Sequence, residues 1–336
     1  MIYTGDFETK TIEPTNVWVW GLCNIENIDN FIYDYDVESF IDFFKFHNDN
    51  VNTVYFHNLK FDGGFIIDYL LKNEFTWKET NKACCENDFT TLIDGTGKFF
   101  MIDIYFDRTN KGGRHVKILD SLKLLNFGVD KISKSFDMPL KKGKIDYDRH
   151  NVECNVTQEE IEYLKNDVQI VAVALKQLFT QIPNKMTIAS SAMCDYKNYI
   201  KYKTKMKWEN LFPVLDNETD NYIRQSYKGG FTSVNEARKN ETINSGIVLD
   251  VNSLYPSRMH SDGGTYYPIG FPHFWSGNKI PPEAKANHNY YFLKIRCSFD
   301  IRPGFLPFVQ IKRNIRYIPT ECLTSTNLLG KKYVET

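Results

Sequence analysis

The stretch Tyr55 to Ile67, Y-F-H-N-L-K-F-D-G-G-F-I-I, sets one carboxylate, one carboxamide, one imidazole and four aromatic rings around a glycine pair. It reads as a strand end that runs into a glycine-permitted turn and then into the start of a buried apolar helix. Asn58 and Asp62 stand four residues apart, so an Asn58 that opens the turn and an Asp62 on the following helix both point into one cleft. Tyr55, Phe56, Phe61 and Phe65 offer flat surfaces for base stacking. A polar pair ringed by aromatics suits a site that grips the end of a nucleic-acid strand and carries out metal chemistry on it. The plainer reading is an aromatic-rich core segment whose Asn and Asp cap a helix. The choice between the two rests on residues elsewhere in the chain.

Upstream, residues 2 to 8 alternate around Asp6 and Glu8, and V-W-V-W-G-L-C-N-I at 17 to 25 reads as a second strand, so the chain opens as a β-meander. Side chains alternate with period two, which puts Asp6 and Glu8 on one face, within reach of one metal ion. An amphipathic helix is expected over 38 to 47, a strand over 51 to 56, and a strand pair over 98 to 106 and 115 to 120 around a Lys111-Gly112-Gly113 turn. Asp120-Ser121-Leu122 closes the last of these strands. Lysines 131, 134, 141, 142 and 144 are read either as a track for a phosphate backbone or as a solvated face. The clearest helix is 157 to 179: Thr157 and Glu160 form a capping box, and Ile161, Leu164, Val168, Val171, Leu175 and Leu178 make a core-facing stripe. Tyr163 and Asp167, at i and i+4, are neighbours beside that stripe.

Length and composition bound what these residues can build. The 336 residues, 42% of them hydrophobic, are enough for a large core and two domains of mixed α/β type. Forty-one basic residues against 42 acidic ones give a net charge of -1, which excludes an overall basic nucleic-acid binder and leaves local contacts or carboxylates served by metal ions. The seven cysteines form no CxxC pair and are odd in number, so neither a zinc site nor a disulfide framework is expected. No basic region followed by an apolar run opens the chain, and no segment reaches about 18 consecutive apolar residues; an unexported cytoplasmic protein with no membrane partner is the expectation.

Past the long helix the composition changes. Lys197, Lys201, Lys203, Lys205 and Lys207 interleave with Tyr196, Tyr199 and Tyr202, a basic and aromatic surface suited to single strands, and a domain boundary is read between 185 and 225. In Y-K-G-G-F at 227 to 231, Gly229 and Gly230 allow close backbone approach. Ile247-Val248-Leu249 is expected as a buried strand that delivers Asp250 to a tight turn, D-V-N-S-L-Y-P at 250 to 256, able to hold a metal-bound triphosphate. Short strands are expected at 290 to 299 and 305 to 312.

Together these segments resemble the terminal-protein-primed branch of the family B DNA polymerases. D-F-E-T at 6 to 9, H-N-L-K-F-D-G at 57 to 63 and Y-L-K-N-D at 163 to 167 are similar to that family's exonuclease motifs. Y-K-G-G at 227 to 230 and D-V-N-S-L-Y-P at 250 to 256 are similar to its synthetic-domain motifs. The resemblance implies a ribonuclease-H-like 3′-5′ exonuclease domain at 1–185, a basic and aromatic linker region at 186–225, the start of a polymerase palm at 226–261 and a partial primer-protein-binding insertion at 262–336. It implies that Asp6, Glu8, Asp62 and Asp167 hold two divalent ions, magnesium or manganese, with Tyr163 orienting a water and a catalytic lysine at Lys142, with Lys141 and Lys144 as alternatives. His57, Asn58, Phe61, Phe65, Ser121 and Leu122 are implied as ligands of single-stranded DNA, and Tyr227, Gly229 and Gly230 as contacts to primer-template DNA. Asp250 and the amide of Val251 are implied as metal ligands in the nucleotide site, with Tyr255 as a steric gate against a ribose hydroxyl.

After 256 the sequence contains no K-x-x-x-N-S-x-Y-G segment and no Asp-Thr-Asp. The expectation is therefore an N-terminal portion, or half of a split enzyme, that degrades DNA but cannot extend it, with nucleotide and terminal protein as partners of the completed polymerase. Two other readings compete. One is a stand-alone single-strand nuclease with a vestigial palm, and the other a non-catalytic module that binds single-stranded DNA or the terminal protein and needs a missing C-terminal half. Four carboxylates gathered without metal repel one another, which argues against the module.

Overall fold

The acidic opening strand finds its partner at once. In the computed structural model, β1 (Ile2–Thr9) pairs antiparallel with β2 (Val17–Asn24), which pairs with β3 (Phe31–Asp34). Residues 1–46, 51–81, 84–107, 113–152, 154–227, 238, 240–260, 262, 264–285, 289–294, 296–298, 300, 302, 305, 309–310, 322–323 and 334–335 are described. The chain divides into two compact units, Met1–Tyr199 and Ile200–Thr336.

The first unit is built on an eight-stranded mixed sheet. β4 (Val51–Phe56) lies parallel to β1, and β8 (His115–Asp120) lies parallel to β4. β7 (Phe99–Tyr105), β6 (Asp88–Ile93) and β5 (Thr76–Trp77) extend the sheet beyond β8. The strands at 51–56 and 115–120 match their expected limits, because β-branched residues lead into a polar turn in both. Helices α1 (Asp36–Phe46) and α2 (Leu59–Lys72) cover one face, where Phe40, Phe44, Ile66 and Leu70 pack on Tyr3, Phe7, Trp20, Val54, Phe56, Ile102 and Ile118. Helices α3 (Val129–Ser135) and α4 (Gln158–Gln181) cover the other, where Ile132, Ile170, Val171 and Leu175 pack on Tyr55 and Leu119. With both faces covered, β2 reads as an unbroken apolar run, and all its residues except Asn24 are buried.

α4 starts as its sequence dictates. Thr157 Oγ1 accepts from the amide of Glu160, and Glu160 Oε2 accepts from the amide of Thr157 at 2.7 Å, a reciprocal capping box. The helix is seated by a bond from Thr4 Oγ1 to the Val168 carbonyl, 2.7 Å long, and by Gly21, where a Cβ would stand 2.9 Å from Leu164 Cγ. Gly21 is the residue paired with Asp6 across β1 and β2, so the close approach of α4 falls beside the acidic strand.

Three expectations are corrected here. The glycines of the opening stretch lie inside α2, and the left-handed turn before that helix is made by Asn58, at φ 75°. Gly63 is needed for packing instead, since a Cβ there would meet Phe99 and Ile102 at 3.1 to 3.2 Å. Tyr55 and Phe56 are 1% and 0% exposed core residues, so only Phe61 and Phe65 remain as stacking surfaces from that stretch. Ile247, Val248 and Leu249 form no strand and are 87%, 98% and 86% exposed, because a buried strand needs a hydrogen-bonded neighbour and none of the described strands pairs with this run.

The second unit is described in pieces: α6 (Trp208–Leu211), α7 (Asn217–Arg224), α8 (Leu254–Met259) and two-residue strands at 296–297, 309–310, 322–323 and 334–335. α5 (Ile188–Thr204) carries the expected tyrosines 196, 199 and 202, all exposed. Gly229 and Gly230, like Lys111 and Gly112, lie outside the described residues.

The two glycines of α2 should respond in opposite directions. Gly63→Val overpacks the contact with Phe99 and Ile102 and should cost about 1–3 kcal/mol. Gly64→Ala meets nothing within 4 Å and should gain about 0.5–1 kcal/mol. Urea unfolding of both variants checks the pair.

Candidate active site

Parallel strands bring their C-terminal ends to one edge, and the chemistry-bearing residues of the first unit collect there. Gly5, Phe56 and Asp120 are aligned across β1, β4 and β8, so Asp6 and Glu8, His57 and Asn58, and Ser121 and Leu122 all follow at the same edge. Asp62 arrives from the first turn of α2, and Tyr163 and Asp167 from α4. Asp6, Glu8, His57, Asn58, Phe61, Asp62, Phe65, Lys142, Tyr163 and Asp167 line one cleft of about 530 Å³, a volume suited to a ligand of small-molecule size.

The carboxylates are costly neighbours. Burial, followed by the charge of Asp167, pushes Asp6 up to about 7; burial, followed by Asp6 and Asp167, pushes Glu8 up to about 9. Burial and Asp6 hold Asp62 well above the usual carboxylate range. Burial raises Asp167 too, against the pull of Lys142, whose Nζ stands 2.8 Å from Asp167 Oδ2. Burial draws Lys142 down, but the bond and charge of Asp167 outweigh it and keep the ammonium firmly protonated. Of the three candidate lysines, Lys142 is therefore the one placed to pair with Asp167, although all three reach solvent. Asp62 Oδ1 and Asp167 Oδ1 are buried with no hydrogen-bond partner. Among the described residues no three His, Cys, Asp or Glu side chains close into a metal cage, and the ammonium of Lys142 is the cation that the acids face. The oxygen-only donor set and the two orphaned oxygens nevertheless fit hard divalent ions.

The Tyr163 phenol is held neutral, raised by burial, by its bond with Tyr147 (2.8 Å between the hydroxyls) and by Asp167. Phe61, 54% exposed, and the half-buried Phe65 meet edge to face at 5.7 Å on the rim. His57 sits with Nε2 2.7 Å from the Phe127 carbonyl and Nδ1 3.0 Å from Ser121 Oγ; burial lowers its pKa, so the imidazole is neutral and donates to that carbonyl. Ser121 is fully buried and turned toward His57 and the Phe56 carbonyl rather than the cleft, with Leu122 half-buried beside it.

Some lining residues escaped the sequence reading. Thr9, Lys10, Thr11, Thr15 and Tyr147 also line the cleft. Only Thr9 carried a signal, as the last residue of D-F-E-T. Tyr147 is brought in by a 3-10 turn (Tyr147–Asn151) anchored through Arg149 and His150 to Glu160, an arrangement with no local signature. In the second unit, Tyr227, Val251 and Tyr255 are 75%, 59% and 69% exposed, and Asp250 is exposed on the segment entering α8.

Residues 44–328 match the model of the family described as DNA polymerase type B, organellar and viral. The chain belongs to that family. Its relatives include the DNA polymerases of Bacillus phage phi29, 38% identical over 328 residues, and Bacillus phage Nf, 37% identical over 329, each match covering 97% of this chain. The DNA polymerase of Streptococcus phage Cp-1 is 31% identical over 327 residues, 93% of the chain. The fold agrees: phi29 DNA polymerase complexed with primer-template DNA and incoming nucleotides superposes with a TM-score of 0.86 at 35% identity, covering 99% of this chain and 56% of that one. The same polymerase complexed with single-stranded DNA gives 0.78 at 34% identity, covering 99% and 55%. This type B chain thus spans about half the length of its relatives, 54% for phi29 and 53% for Cp-1, and corresponds to their N-terminal portion, in the protein-primed branch that the five motifs indicated.

The raised carboxylates make the metal-free chain pH-sensitive. In chelator the folded state keeps protons on Asp6 and Glu8 that the unfolded state, titrating at 3.8 and 4.5, has shed. The stability they contribute is full below those values and is lost as pH rises through about 7 for Asp6 and about 9 for Glu8. The melting temperature in chelator should fall as pH is raised across that window, and Asp6→Asn/Glu8→Gln should flatten the slope. An equally steep fall in the double variant would assign the slope to other groups.

Proposed function

We propose that the first unit is a 3′-to-5′ exonuclease that trims single-stranded DNA ends with two divalent ions, magnesium or manganese. The observation that carries the reading is the gathering of Asp6, Glu8, Asp62 and Asp167 in one aromatic-rimmed cleft, two of them with orphaned buried oxygens. A fold can sustain four mutually repelling acids where a cation satisfies them. Such ions, held by those four residues, supply activation of the attacking water and neutralisation of charge on the phosphate.

The chain's own groups do the rest. Phe61 and Phe65 stack on the terminal bases, and Asn58 and His57 hold the strand from the β4 end. Tyr163, kept as a neutral phenol donor, orients the attacking water beside Asp167. Lys142, kept charged, stands by the phosphate as negative charge grows on it.

The larger reading is the N-terminal portion of a protein-primed DNA polymerase, working in the cytoplasm of a host cell. Residues 1–185 form the exonuclease domain, 186–225 a linker region, 226–261 the start of the palm and 262–336 part of a primer-protein-binding insertion. Tyr227, Gly229 and Gly230 meet primer-template DNA; Asp250, Val251 and Tyr255 form the nucleotide side, completed by a second carboxylate motif this sequence lacks. Terminal protein and nucleotide are partners of that complete enzyme. The family relationship and the likeness to a polymerase solved with single-stranded and primer-template DNA support this reading.

A 5′-labelled single-stranded oligonucleotide with magnesium or manganese tests it. Stepwise loss from the 3′ end is expected, reduced about 10³-fold or more in Asp6→Ala/Glu8→Ala, with no primer extension by the 336-residue chain. A folded chain that degrades nothing would favour the binding-module reading, and extension would refute the incomplete palm.

A further inference from the structure

The helix that opens the site is capped by the wrong residue. Asn58 occupies the N-cap position of α2, where an Asn side chain ordinarily accepts a bond from the first-turn amides, yet it makes no capping bond. The amides at the very start of the helix are served from another strand instead. Asp120 Oδ1, 2% exposed at the end of β8, accepts from the amides of Asn58 at 3.1 Å and Leu59 at 3.4 Å. The same oxygen accepts from the amide of Leu122 at 3.0 Å and so caps the 3-10 turn Ser121–Lys123 as well. Its other oxygen is 3.0 Å from Lys123 Nζ, which balances the buried charge.

We infer that Asp120 is a positioning residue for the DNA-end site: by bonding the amides of Asn58 and Leu59 it holds Asn58 in a left-handed conformation from which its side chain makes no cap, and so leaves the Asn58 carboxamide available to a strand end in the cleft. Two features of the geometry support this. Asn58 is held at φ 75° and ψ 55°, a left-handed conformation sustained only where the surroundings over-determine it, and the Asp120 carboxylate grips the amides on both sides of its carbonyl. The second is the joint anchoring of two turns. The Asn58 turn and the Ser121–Leu122 turn hang from one oxygen, and His57 bonds to Ser121 Oγ between them, so the residues after β4 and β8 move as one piece. Asp120 lines no part of the cleft, and its charge reaches the four acids only as one of the smaller causes that hold Asp62 high, so its removal should loosen the grip on DNA more than it disturbs the hydrolytic centre.

The inference rests on the exonuclease reading for its assay, and the measurements are chosen to separate the two. Asp120→Ala removes all the bonds; Asp120→Asn keeps an acceptor for the amides but loses the charge opposite Lys123. For a single-stranded oligonucleotide, Asp120→Ala should raise KM at least tenfold and Asp120→Asn only a few-fold. Turnover of the p-nitrophenyl ester of thymidine 5′-monophosphate, which has no strand to grip, should fall several-fold less than activity on the strand in both. In a cycle with Asn58→Ala, the double variants should be no worse than the poorer single one, because the two side chains act through one contact. Additive losses, or a parallel fall in turnover of the small ester, would overturn the inference and mark Asp120 as a general support of the fold. Should Asp120→Ala not fold by circular dichroism, the Asp120→Asn cycle decides alone. Anisotropy of a labelled strand in calcium reads the same coupling without hydrolysis, so a chain that binds ends but cuts nothing would refute the exonuclease and still test Asp120.

Discussion

Four acids crowded at one sheet edge repel one another and resent their burial, and the architecture of the first unit is arranged to hold them there regardless. Asp6 is raised to about 7 and Glu8 to about 9, and among the described residues it is the Lys142 ammonium, 2.8 Å from Asp167, that answers their charge. The opposing force is apolar burial on both faces of the sheet, together with a few fixed bonds. α4 is the element that carries most of the load. Leu164 fits against Gly21 and the Val168 carbonyl receives Thr4 Oγ1, and those two contacts seat the turn of α4 that carries Asp167 against β1 and β2.

The supporting residues relieve the functional ones of structural duties. Asp120 bonds the first amides of the helix that Asn58 begins, and Ser121, buried and bonded to His57, fixes the imidazole-bearing turn. Glu160, lowered to about 2 because Arg149, Thr157 and His150 together outweigh its burial, ties the 3-10 turn to the start of α4 and sets Tyr147 against Tyr163. A side chain that has no cap to make and no core to fill is available to a ligand. The same logic separates Phe61 and Phe65, on the rim, from Tyr55 and Phe56, which are spent on the core.

Much of this was legible in the linear chain, and the reasons are local. The period-two alternation of 2 to 8 placed Asp6 and Glu8 on one face, the Thr157–Glu160 spacing wrote its own capping box, and Tyr163 and Asp167 four residues apart had to be neighbours on their helix. Each depends only on strand pleat, helix pitch or cap stereochemistry over a few residues. Five ordered motifs, four of them carrying acids as oxygen donors, were enough to indicate the family to which the chain belongs.

What the tertiary structure decided depends on partners far away in sequence. Whether the glycine pair turns or packs was settled by Phe99 and Ile102, and which lysine faces the acids by the seat of Asp167. The run Ile247 to Leu249 has the composition of a strand but no described neighbour to make it one, since strand formation is a property of a pair and not of a segment. The cap of α2 comes from 62 residues downstream, a distance across which no local rule operates. The sequence by itself therefore determined the chemical groups and their spacing within each element. Only the fold decided which of those groups are occupied with one another and which are left facing the cleft, because burial and hydrogen-bond satisfaction are settled between elements.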